Sequence, residues 1–91
     1  MELQFISKDK ETGKYTLWGS ATNETQFFAL CQYFLDSISW LEDFIIRDCV
    51  SGKCYDFLGI TTKVLGMRKR NFQERMNDVV TGRTAKWQQD I

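Results

Sequence analysis

A ten-residue pattern that occurs twice constrains this chain more than any other feature. Phe5 to Lys14 and Phe44 to Lys53, 39 positions apart, both read F-I-x-[KR]-D-x-x-[ST]-G-K. A β-hairpin with a four-residue loop accounts for both copies. The Asp caps the turn, the Gly supplies the left-handed residue that closes it, and the Lys faces the Asp across the first rung. Asp9, Gly13 and Lys14, and Asp48, Gly52 and Lys53, are therefore the structural turn residues. Pairing Asp9 with Lys14 sets Phe5 beside Trp18 and Ile6 beside Leu17; pairing Asp48 with Lys53 sets Phe44 beside Phe57 and Ile46 beside Tyr55. Apolar side chains then meet across both hairpins. A gene duplication and a common turn recipe read alike in one sequence, and the hairpins follow from either.

Between the hairpins, Asn23 with Gln26 three residues on marks a capped helix start. Phe27, Leu30, Cys31, Phe34 and Ile38 follow at helical spacing, broadened by Phe28 and Leu35. Ser39-Trp40-Leu41-Glu42 also resembles a capping box, which leaves residues 40–47 between helix and strand; the Phe44-Ile45-Ile46 run favours strand from about residue 42. After the second hairpin, Asn71 and Glu74 form another capping pair, with Phe72, Met76, Val79 and Val80 as the expected buried face of a second helix. That helix starts at Asn71 or earlier, near Thr62, and Gly82 is read as its C-terminal glycine. Asp78 to Arg83 also fits the turn pattern, but the residues before it look helical. A tail over 83–91 is expected to dock through Trp87.

The expected elements are a hairpin over about 2–20, a helix over about 24–38, a hairpin over about 42–59 and a helix from 62 or 71 to 81. This ββα-ββα order in 91 residues implies one α+β domain over residues 1–91, an antiparallel four-stranded sheet with two helices on one face. Ile6, Leu17, Ile45 and Leu58 fall on the other face, which offers a surface for a partner or a homodimer.

The chain holds no histidine, which removes the commonest general base and every Cys/His zinc arrangement. Three cysteines, Cys31, Cys49 and Cys54, are an odd number and suit a reducing compartment. In the four-residue turn Cys49 and Cys54 do not converge; a two-residue Ser51-Gly52 loop would oppose them and allow a bridge. The start of the sequence has no apolar run long enough for a signal peptide or a span, so a cytoplasmic location without membrane contact is expected, and Asn23-Glu24-Thr25 reads as a helix start before a glycosylation site.

Formal charge sums to zero but is unevenly placed: residues 1–46 carry three basic and seven acidic side chains, residues 47–91 nine basic and five acidic. Glu42-Asp43 and Asp48/Asp56 are the only carboxylates of interest for acid–base work, and neither Gly-Lys pair has the glycines or the following Ser/Thr of a phosphate loop. No catalytic residue, metal ligand or cofactor is expected. The strongest functional feature is a basic cluster of Lys63, Arg68, Lys69, Arg70 and Arg75, with Lys86 beyond. Positive charge at a helix start opposes the macrodipole, which hints at a purpose other than stability. The leading expectation is a non-enzymatic interaction protein that docks on another protein, through an acidic surface of that partner, as an inhibitor, adaptor or regulator. Phages and mobile elements often encode regulators of this size, and for these the host cytoplasm is the place of action. The alternative is a small nucleic-acid-binding module using the same cluster, against which the zero net charge counts. A small carboxylate enzyme is the third reading.

Overall fold

The computed structural model describes residues 1–81. Expectations for Gly82, Arg83, Lys86, Trp87 and the 83–91 tail lie outside the described residues. Four strands, β1 (Leu3–Lys8), β2 (Tyr15–Ala21), β3 (Phe44–Asp48) and β4 (Cys54–Asp56), form one antiparallel sheet in the order β2-β1-β3-β4. Helices α1 (Glu24–Ser37) and α2 (Phe72–Thr81) follow the two hairpins, so the architecture is a small α+β fold in ββα-ββα order.

The two turns are built alike, bond for bond. Asp9 N–H donates to Lys14 O (2.9 Å), Gly13 N–H to Asp9 O (2.8 Å), and the Asp9 carboxylate accepts from Glu11 and Thr12 N–H. The second turn repeats this: Asp48 N–H to Lys53 O (2.8 Å), Gly52 N–H to Asp48 O (2.8 Å), and Val50 and Ser51 N–H to the Asp48 carboxylate. Gly13 and Gly52 sit at φ 71° and 77°, where a β-carbon is strained. The backbone N–H of Thr12 and Glu11 hold the Asp9 carboxyl below its usual range, and Val50 N–H does the same most strongly for Asp48. The copies also meet in space. β1 and β3 are the central strands, with Ile6 opposite its counterpart Ile45, so a local two-fold relates the copies across the middle of the sheet.

Alternation along the central strands sends Phe5, Phe44 and Ile46 to the side covered by α1, and Ile6, Ile45 and Arg47 to the other. The covered side forms a core in which the Phe34 ring meets Phe5 (5.2 Å) and Phe44 (5.3 Å), joined by Leu30, Cys31, Leu35 and Leu41. Asn23 caps α1 by accepting from Gln26 N–H (2.9 Å), and the Gln26 side chain accepts from Thr22 N–H. Phe28 lies off this stripe and stays exposed.

Three local features depart from simple alternation. Ile6 pairs with Leu17, but Phe5 pairs with Gly19: Trp18 is the extra residue of a bulge, its indole N–H donating to Ser7 Oγ (2.8 Å). The bulge sets Gly19 against α1, where a β-carbon would make ordinary van der Waals contact with Leu30 and Phe34 at 3.5 and 3.6 Å. Residues 40–47 divide between a 3₁₀ turn at Leu41–Asp43 and β3. Ile46 pairs with Tyr55, and Phe57 reaches Phe44 by ring contact (5.7 Å) after β4 has stopped at Asp56. The Asp56 carboxylate accepts from Gly59 N–H (2.9 Å) and starts a π-helical segment, Gly59–Val64, which carries Leu58 and Ile60 against the core. Leu58 is therefore not on the open face: the chain turns helical before it could alternate outward.

Candidate interaction surface

Two arginines of the basic cluster, Arg68 and Arg70, are folded onto carboxylates of their own chain. Asp36, at the end of α1 and buried, accepts from Arg70 N–H (2.7 Å), Arg70 Nε (2.8 Å) and Gln32 Nε2 (3.0 Å). Arg70 extends on to an ion pair with buried Asp78 of α2, and Arg75 Nη1 donates to Asp36 O (3.2 Å). Arg68 makes a two-point contact with Glu74 (2.8 and 3.0 Å), and its backbone carbonyl accepts from Gln32 (2.9 Å). This clasp ties the 65–71 connection and α2 to the end of α1. Lys63 and Lys69 are exposed and belong to none of the ion pairs among the described residues; Lys86 lies outside them.

The clasp decides which way α2 faces. Asn71 Oδ1 accepts from Glu74 N–H (2.9 Å), so the helix begins at the capping residue. Its expected buried face is turned to solvent: Phe72 is 68% exposed, Met76 40%, Val79 56% and Val80 81%. Asp78 is buried in their place. Glu74 and Asp78 lie on the opposite side of the helix with exposed Arg75 at its flank, and pairing Asp78 with Arg70 beside Asp36 holds that side inward. An amphipathic helix thus docks by its polar side and presents four apolar side chains at i, i+4, i+7 and i+8 outward. Apolar spacing located the stripe but not its direction. The overlooked signal was Asp36, an acid within the apolar run of α1, 34 residues before the arginine it binds.

The remaining candidates separate. Glu42, Asp43 and Asp56 line a cavity of about 580 Å³ with Lys8, Asp9 and Lys10, in which Asp43 pairs with Lys10 (3.4 Å). Asp48 stays in its turn. Cys49, Cys54 and Cys31 are free thiols; Cys54 lies opposite Arg47, Cys49 N–H donates to Glu2 O, and burial pushes the Cys31 thiol up to about 12. Among the described residues no group of His, Cys, Asp or Glu is placed to hold a metal ion, and no helix is long and apolar enough to cross a membrane. No protein-family model, curated protein or solved structure matches the chain.

Proposed function

We propose that this chain is a non-enzymatic interaction protein that docks on another protein through α2, acting as an inhibitor, adaptor or regulator. The observation that carries the reading is the outward apolar stripe of Phe72, Met76, Val79 and Val80. It leaves about 400 Å² of contiguous apolar side chain in water, within the size range that marks interaction sites. The segment that carries it is basic: Lys63, Arg68, Lys69 and Arg75 are exposed, and Glu74, already held by Arg68, is the only acid of residues 63–81 that is not buried. The complementary partner is an apolar groove with an acidic rim, which wraps a helix on three sides. Pairing of two α2 helices fits less well. Each copy would bury about half of the ~800 Å² per partner typical of stable complexes, and Arg75 would lie near its own symmetry mate.

A photo-cross-linking residue at Met76, expressed in the source cells with one at Glu24 as a control, tests the reading. We expect a discrete protein adduct from position 76 alone, lost with Val80→Asp and weakened by salt. No specific adduct would refute the proposal. A nuclease-sensitive adduct would favour the nucleic-acid alternative, which has Lys63 and Lys69 as its unpaired cations. In that case binding to a short duplex should fall with salt by roughly one unit of slope per phosphate contact, and removing both lysines should flatten it.

A further inference from the structure

The sheet face away from α1 carries a second feature, independent of α2. Ile6 is level with Leu17 on one side and Ile45 on the other, so an apolar row crosses three strands. This row floors a cavity of about 490 Å³ whose walls include Tyr15, Arg47 and Cys54. Of the residues lining it, Arg47 alone is charged. Arg47 is exposed and takes part in none of the ion pairs among the described residues. Of the charged side chains near it on this face, Asp56, diagonal to it on β4, accepts from Gly59 N–H, Lys8, beyond Ile6 on β1, lies over the Tyr15 ring (5.6 Å), and Glu2, diagonal to it beside β1, belongs to none of the ion pairs among the described residues.

We infer that this hollow binds a small aliphatic carboxylate, its carboxylate on the Arg47 guanidinium and its tail along Ile45, Ile6 and Leu17 toward Tyr15. The planar guanidinium matches a carboxylate with two parallel hydrogen bonds. Side chains on one face of a strand repeat about every 7 Å, so the row next to Arg47 receives the first few carbons and the Tyr15 ring the end of the tail. The cavity falls in the ~300–1,000 Å³ range of small-molecule sites, and it combines an apolar floor with two polar side chains, Arg47 and Gln4. A second copy stacked on this face is a poorer occupant. Four strands of this length offer roughly 400 Å², half of what each partner of a stable complex buries.

The thiols supply the assay. Cys54 stands in the wall, Cys49 lies outside the hollow and Cys31 is buried, so alkylation of each by iodoacetamide, read by peptide mass spectrometry on the full chain, reports a footprint. Decanoate at sub-micellar concentration should slow Cys54 alkylation at least fivefold and leave Cys49 unchanged. Decanol, with the same tail and no charge, should bind about tenfold more weakly, and Arg47→Gln should erase that difference, as the loss of a charge-assisted hydrogen bond does. Leu17→Glu should abolish protection by either probe. Equal protection by decanoate and decanol in the parent chain, or none by decanoate, would overturn the inference. So would protection that rises with protein concentration alone, which is the mark of a second copy on this face. Reaction of Cys31 at the protective decanoate concentration would show denaturation in place of binding and would overturn it too.

Discussion

Arg70→Met is the most searching perturbation of this structure, because it keeps the apolar stem and removes only the guanidinium. Asp36 then remains with its side chain 4% exposed and without the guanidinium against it, and Asp78 loses its pairing with Arg70. Breaking a buried ion pair from one side costs about 3–5 kcal/mol. Asp36 keeps the Arg70 N–H and the Gln32 amide, which are neutral donors, so the expected loss lies at the lower end, about 3 kcal/mol. That is a large share of the ~5–15 kcal/mol available to a small domain. With a urea slope of about 1.5 kcal/mol per molar, the unfolding midpoint should fall by about 2 M at unchanged slope, followed by far-UV circular dichroism and tryptophan fluorescence. Lys69→Met, the same change at an unpaired exposed site, should stay within about 0.5 kcal/mol of the parent. Adding Asp36→Leu and Asp78→Leu to Arg70→Met should restore most of the loss, since an apolar cluster can replace a buried ion network. A midpoint for Arg70→Met equal to that of Lys69→Met would refute the view that the clasp holds buried charge and orients α2.

Gly52→Val should cost more than ~1 kcal/mol although nothing lies within 4 Å of its added β-carbon, because φ is +77°; equal denaturation midpoints would rule out the turn. Asp9 and Asp48 have lowered folded-state pKa values, so their contribution is complete above the ordinary carboxylate range and disappears as pH falls through the folded values. Asp9→Ala with Asp48→Ala should therefore lower the thermal midpoint at pH 7 and flatten its decline between about pH 5 and 2; an unchanged acid limb would contradict this. Alkylation at pH 8 should modify Cys54 readily and Cys31 only after unfolding, with three thiols reactive in denaturant; two fewer would mean a disulfide between turn residues.

Much of this fold was legible from short stretches. Asp9 and Asp48 accept from N–H groups two and three residues ahead, Gly13 and Gly52 close the loops, and Asn23 and Asn71 cap helices by bonds to residues three positions on. Such contacts span so little chain that residue type alone determines them, and they carry both hairpins, both helix starts and the pairing of Ile6 with Leu17 and Ile46 with Tyr55. The tertiary structure decided what depends on distant neighbours. The bulge at Trp18 sets Gly19 against Leu30 and Phe34 of α1, and Phe57 leaves the strand to meet Phe44 while Asp56 starts a helical segment. The direction of α2 was the largest such decision. Its spacing defines an apolar side and a charged side equally well, and burial of either would satisfy the helix locally. Asp36, brought beside Arg70 by the packing of α1, favours docking by the charged side, because a carboxylate buried by the fold is costly without a cation against it. The apolar side is left in solvent for that reason, and the surface proposed to act follows from a long-range charge requirement that spacing along α2 does not express.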